Sequence, residues 1–310
     1  LSQGIAQSHC GMQLQIFSTH RERAATLGDV NTSSPVVRRR RLGLELRAIR
    51  ETNTRLNGDD AARALGWSNS KLSRIETGRT APTAADVTKL LDLYKVEDAE
   101  RRDELAVLTR EARKKGWWQL YSEVPYSTYI GLEAEASQML TYQHVVPGLF
   151  QTEHYAEAIN RATTIGLNED ALEQRLEVRM TRQRILTRSA PLEVRALLDE
   201  AAIRRVVGGP QVMREQLERL LEMAELPNVI AQVIPFSAGG HFGTLVGPFV
   251  ILNYAHPADP DIVYVEGSTD PYPDRDGEIE QYGVMFDHMR AAALSVAATQ
   301  TLIRNQVKDL

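Results

Sequence analysis

Residues 57–79, NGDDAARALGWSNSKLSRIETGR, constrain this chain more than any other stretch. Two short helical patterns lie there on either side of a tight break. In the first, Ala61, Ala62 and Leu65 take the i, i+1, i+4 spacing of one helix face. Gly66 then stops it, because glycine enters the left-handed conformation at a helix C-terminus without steric cost. After Trp67, Ser68 or Asn69 can cap a second helix, in which Leu72, Ile75 and the stem of Glu76 share one side at i, i+3, i+4. Asn69, Ser70, Lys71 and Arg74 are left on the other side. Short amides and hydroxyls together with long cations are the side chains that read base edges and hold phosphates in a major groove. Two short helices, a glycine-bearing turn and a polar second helix are the parts of a helix-turn-helix.

The stretch resembles the Cro/lambda-repressor-like, or XRE-type, helix-turn-helix family, over roughly residues 37–96. Ala61-Ala62, Leu65-Gly66 and the run Lys71-Leu-Ser-Arg-Ile-Glu-Thr-Gly78 sit at that family's spacing. The resemblance implies double-stranded DNA as partner and an ion pair from Arg50 or Arg47 to Glu76. It also implies that Arg79 and Thr80 lie where the family's loop crosses the sugar-phosphate backbone. Where the family often opens its first motif helix with a phosphate-contacting glutamine, this chain has Gly58. Backbone N–H groups beside Asn57 are left for that contact. The candidate DNA contacts are therefore Asn57, Gly58, Ser68, Asn69, Ser70, Lys71, Arg74, Arg79 and Thr80.

The net charge of −5 argues against nucleic acid only if the 310 residues act as one unit. Residues 35–116 hold 19 Lys and Arg against 13 Asp and Glu, a balance of +6, whereas residues 117–310 hold 15 against 26, a balance of −11. A basic segment with a helix-turn-helix joined to an acidic body confines phosphate attraction to one domain. No apolar run is long enough to span a membrane, and no signal peptide is expected. The single cysteine, Cys10, excludes an intrachain disulfide and a multi-cysteine zinc site. A cytoplasmic protein, nucleoid-associated when bound to DNA, is expected. Arginine outnumbers lysine by 30 to 6, a bias that hints at an actinobacterial source.

Read in order, the chain divides into a disordered extension at 1–34, the DNA-binding domain at 35–115, a linker at 116–128 and a second domain at 129–310. The run Arg38 to Arg41 opens a helix reaching about residue 51, either touching flanking phosphate or simply solvated. Thr83 and Asp86 form a capping box, and a fifth helix follows over 99–115. Trp117-Trp118 is too apolar for a free tether and is expected to pack against a domain. Beyond it, helices are predicted at 131–142, 152–162, 168–188, 199–208, 212–224, 278–294 and 296–307. Strands are predicted at 192–198, 229–236, 248–253 and 262–266. The fold class is mostly α: a five-helix lambda-repressor-like domain followed by an α+β regulatory domain with a small sheet.

The second half is similar to a C-terminal domain of WhiJ-like, antitoxin-like actinobacterial regulators. Pro147 to Tyr155, Arg179-x-x-Arg-Gln183, Asp199-Glu200, Gly208-Gly-Pro210, Val233 to Phe236 and Val263 to Glu266 carry the likeness. It implies a regulatory or partner-binding role, since the genes of such regulators tend to neighbour a small acidic partner protein, and it supplies no reaction. The arginine-rich helix gives Arg179 and Arg182 as candidates for docking an anion or acidic partner, against a reading as a solvated salt-bridged face. His241, at the tip of a glycine loop with no helix after it, is the third candidate. The histidines never take H-x-x-x-H spacing and no nucleophile or nucleotide motif occurs. No metal, cofactor, membrane or catalytic role is expected, and a homodimer is.

Overall fold

The computed structural model describes residues 34–121, 124, 126–267, 272 and 277–310. Apart from Ser34, the extension expected to be disordered lies outside the described residues.

Five helices build the first part: α1 Pro35–Asn53, α2 Gly58–Ala64, α3 Asn69–Glu76, α4 Ala84–Leu93 and α5 Ala99–Ala112. Each starts where a side-chain oxygen can take an orphan N–H. Ser34, Asn57, Ser68, Thr83 and Asp98 all accept from the first turn that follows them. At α4 the exchange is reciprocal, with the Thr83 N–H donating to Asp86 Oδ2 at 3.0 Å. Leu42, Leu46, Leu72, Ile75, Leu90 and Leu105 form one closed core with Ala61, Ala62 and Tyr94.

Helix α1 serves two cores. Its later turns belong to the one just described, whereas Val36 and Val37 in its first turn pack in the core of the second half, alongside Trp118. The Ser34 N–H donates to Glu135 Oε2 at 2.7 Å. Arg38 pairs with Glu135 and, at 3.2 Å, with Asp259. Arg41 Nη1 lies 3.3 Å from His256 Nε2. The basic run is thus neither a phosphate clamp nor a solvated face at Arg38, because the half-buried Glu135 and the buried Asp259 of the second half claim that cation. Trp117 and Trp118 lie in a 3-10 turn, Trp117–Leu120, with Trp118 buried as its apolarity requires.

The second half consists of α6 Ser127–Glu135, β1 Gln138–Gln143, α7 Glu153–Thr163, α8 Glu169–Arg182, β2 Glu193–Asp199, α9 Ala201–Arg204, α10 Pro210–Met223, β3 Val229–Ile234, α11 Gly243–Val246, β4 Phe249–Asn253, β5 Ile262–Val265, α12 Glu278–Ala292 and α13 Val296–Asp309. Among the described residues the sheet has five strands in the order β3-β2-β1-β4-β5. β1, β2 and β3 run parallel, and β4 and β5 pair antiparallel beside β1. Successive side chains alternate between faces. Met139, Val194, Val250 and Ile262 enter the large core beneath α8, α10 and α13, while Tyr142, Leu197, Phe249 and Val263 enter a smaller one beneath α12.

Several expected elements change. The helix predicted over 131–142 ends at Glu135, and Gln138–Gln143 becomes the central strand. Both faces of that strand are covered, so its apolar residues show no alternation to announce it. The helix expected to reach Arg188 ends at Arg182 and tightens into a 3-10 turn, Gln183–Leu186. There the Gln183 amide donates to the carbonyls of Gly148 and Gln151, and the Arg188 guanidinium to those of Ala134 and Ala136. The helix expected from Asp199 to Gly208 is a single turn, α9.

Candidate functional site

The helix-turn-helix is built as its chemistry demands. Asn57 Oδ1 accepts from the Asp60 N–H at 2.8 Å and starts α2. Gly66 takes φ +68° at its end, and the Trp67 N–H returns to the Ala62 carbonyl at 2.8 Å. Ser68, rather than Asn69, caps α3, accepting from the Lys71 N–H at 3.2 Å. One side of α3 is buried through Leu72, Ile75 and Glu76; Asn69, Ser70, Lys71, Ser73 and Arg74 stand in solvent, followed by Arg79 and Thr80. Asn57 and Ser68 are exposed and Gly58 is half-buried. Of the nine predicted contacts, Gly58, Asn69 and Ser70 share with Arg47 and Ser73 a cleft of about 360 Å³ between α1, α2 and α3. Ser73 was missed from the sequence, although its i+4 spacing from Asn69 places it on the same edge.

The back of α3 is locked to α1. Arg50 Nε and Nη2 donate to the two carboxylate oxygens of Glu76 at 2.8 and 2.9 Å, and the Tyr94 hydroxyl reaches Glu76 Oε1 at 3.4 Å. Arg47, the other candidate partner, pairs with Glu51 instead. The Glu76 carboxylate keeps Arg50 above its ordinary value against the opposing effect of burial. The helices cross at Gly43, where a Cβ would lie 2.4 Å from the Ile75 carbonyl oxygen. Lys71 is not a free cation: its Nζ sits 3.7 Å above the Trp67 ring and 2.7 Å from Asp86 Oδ1.

The three candidates in the second half do not come together. Arg179 and Arg182 line a cavity of about 340 Å³ on the Thr141 and Gln143 face of β1. Arg182 donates to both oxygens of Glu133, at 2.8 and 2.7 Å, in a buried pair. Burial alone would lower the Arg182 pKa, but Glu133 overrides it and raises it. Arg179 donates to Gln151 Oε1 and, at 3.4 Å, to the Tyr126 hydroxyl, while its Nε is buried without a partner. The solvated salt-bridged face expected for this helix is therefore absent at these two arginines. His241 lies across the sheet, beside Tyr142, at a ring separation of 5.5 Å. Its Nε2 is 3.9 Å from Asp199 Oδ2, its Nδ1 is buried without a partner, and the one-turn helix α11 follows it. It is tucked against the core rather than held at the tip of an open loop.

A glycine turn followed by a short helix with a fixed apolar back and a polar outer edge is the arrangement of a helix-turn-helix, the module of DNA-binding regulators. Residues 41–105 match a family described as a helix-turn-helix domain. The chain belongs to the family described as a domain of unknown function, DUF5753, which matches residues 126–305. No curated protein and no solved structure matches it. No described helix is long and apolar enough to cross a membrane.

Proposed function

We propose that the chain is a sequence-specific regulator of XRE type that binds DNA as a homodimer. In this reading α3 lies in the major groove, with Asn69, Ser70, Ser73 and Arg74 toward base edges. Asn57, the Gly58 N–H, Ser68, Lys71, Arg79 and Thr80 hold flanking phosphates. The observation that carries it is the exposure of this whole edge while the opposite side of the same two-turn helix is sealed in a core. The second domain acts as the sensor of a ligand or partner and performs no reaction. The arginine bias supports an actinobacterial source and the motifs of the second half a WhiJ-like setting, with the protein on the nucleoid when bound. Sequencing the DNA that the full chain retains yields the operator. Arg74→Ala then weakens binding by roughly 1–3 kcal/mol in a gel-shift titration; unchanged affinity removes α3 from the groove.

An antitoxin-like role, with a small acidic protein as main partner and DNA binding for autoregulation, draws on a different observation. Phe236, Phe242 and Leu245, on the β3 to β4 connection, are 61%, 41% and 88% exposed. Co-expression with small acidic proteins encoded beside the gene, followed by size exclusion, tests it: a complex lost in Leu245→Asp supports that role.

A further inference from the structure

The cavity beside Arg179 has the chemistry of a ligand site. Its volume falls at the small end of the range for small-molecule pockets. It opens beside the C-terminal half of β1, where the neighbouring strand changes from parallel β2 to antiparallel β4. Ligands of α/β sheets gather at the C-terminal ends of parallel strands where connectivity changes direction.

Its two cations are not equivalent. Arg182 gives Nε and Nη2 to Glu133 in a bidentate pair, which neutralises its charge. Among the described residues the hydrogen-bond partners of Arg179 are the neutral Gln151 and Tyr126. The Nε of Arg179 has no partner, and its Nη2 is engaged only by the 3.4 Å contact to Tyr126. Nε and Nη2 form one edge of the guanidinium, the edge whose spacing matches the two oxygens of a carboxylate. A buried N–H left without an acceptor is costly, and an incoming anion would satisfy it. The Tyr126 phenol reports the same excess of positive charge. Burial pushes its pKa up, yet Arg179, Arg182 and Arg175 outweigh that effect and leave it below the ordinary tyrosine value. Around this cation Met139, Val146, Leu149 and Ile159 offer apolar surface, and Gln143 offers the second N–H of its amide, the first going to Thr141 Oγ1. Glu266, the remaining carboxylate of the lining, is exposed.

We propose that this cavity binds a small organic monoacid, its carboxylate on Arg179 and its aromatic or alicyclic body against the apolar wall. This rests on the reading of the second domain as a sensor and names the chemical class it senses. The probes are benzoate and cyclohexanecarboxylate, with benzamide and inorganic phosphate as controls, each titrated into the full chain. A bound acid raises the Tm by about 2–4 °C at about five times its Kd. Benzamide and phosphate give no comparable shift. Arg179→Met weakens acid binding at least about tenfold, the loss of one charge-assisted bidentate contact. Gln143→Leu, which keeps every charge, weakens it less and serves if Arg179→Met fails to fold. No shift with either acid, an equal shift with benzamide or phosphate, or binding indifferent to both substitutions overturns the assignment. A gel shift on the same samples separates the two readings. If benzoate binds through Arg179 but leaves operator affinity unchanged, the site stands and the sensor reading falls. If operator binding is intact and no acid binds, only the site falls.

Discussion

Arg50 and Glu76 hold one another through two parallel hydrogen bonds, 2.8 and 2.9 Å long, with both side chains only 8% exposed. The pair joins the last turn of α1 to the end of α3. Removing one member strands the other in a place with little water, which costs about 3–5 kcal/mol, whereas replacing both with apolar groups is close to neutral. Arg50→Met is therefore expected to lower stability by about that amount in urea unfolding. Arg50→Met combined with Glu76→Leu should recover most of the loss. A double substitution no more stable than the single one would mean that the pair is not the source of the cost.

Lys71 sits on the exposed edge of α3 that is proposed to face DNA, but it is held internally by Asp86 and Trp67. A phosphate has to compete for it. Asp86→Asn frees the cation and is expected to raise operator affinity about two- to fivefold at low salt, since partly exposed ion pairs are worth about 1 kcal/mol or less. Lys71→Ala should reduce the slope of log affinity against log salt by about one. Asp86 also carries a pH signature. Burial pushes its carboxyl up, but hydrogen bonds from Lys71 and Thr83 outweigh this and leave it below the usual aspartate value. A group depressed in the folded state stabilises above its unfolded pKa, and that contribution is lost as pH falls through the folded one. The stability difference between wild type and Asp86→Asn should therefore shrink below about pH 4. Thermal melts between pH 3 and 7 read it directly.

Gly58 occupies the place where the XRE family often has glutamine, and a Cβ built there meets nothing within 4 Å. Gly58→Gln fits without rearrangement. It should stabilise α2 by up to about 1 kcal/mol through helix propensity. It should also tighten operator binding by supplying a side-chain phosphate contact where the native glycine offers only its backbone N–H. A gain in Tm without a gain in DNA affinity would place α2 away from the backbone of the duplex.

What the sequence reveals here depends on how local the determining contacts are. The caps Asn57, Ser68 and Thr83 bond within three residues, so the helices of the DNA-binding part can be read directly. Ser34 shows the limit, because its own cap is local but its N–H is taken by Glu135, 101 residues away. β1 was hidden because Met139 and Tyr142 belong to cores on opposite faces of the sheet, leaving a pattern that also suits a helix. Arg179 and Arg182 were visible as an odd basic cluster in an acidic half. That one is neutralised and the other is not depends on Glu133, which lies on a different helix. His241 misled because glycines on both sides suggest an open tip, whereas Tyr142 supplies a wall that only the folded sheet brings near.

Arg38 ties the two halves together, since its guanidinium reaches both Glu135 and Asp259 and Asp259 is 221 residues away along the chain. Glu135 is held above the usual glutamate value because burial outweighs the Ser34 N–H and Arg38, so this carboxylate is already costly to keep charged. Arg38→Met leaves two carboxylates facing one another without their cation. About 3 kcal/mol is expected to be lost from the docking of α1 on the second half. Helix α3, in contrast, is fixed to α1 further along by Arg50 and by the close crossing at Gly43. Hydrogen exchange should therefore quicken around 34–41 and 130–136 in Arg38→Met, while residues 69–76 keep their protection and operator binding in a gel shift stays within about threefold. If exchange instead quickens first in α3, the first turn of α1 supports the DNA-reading surface and not merely the junction between the halves.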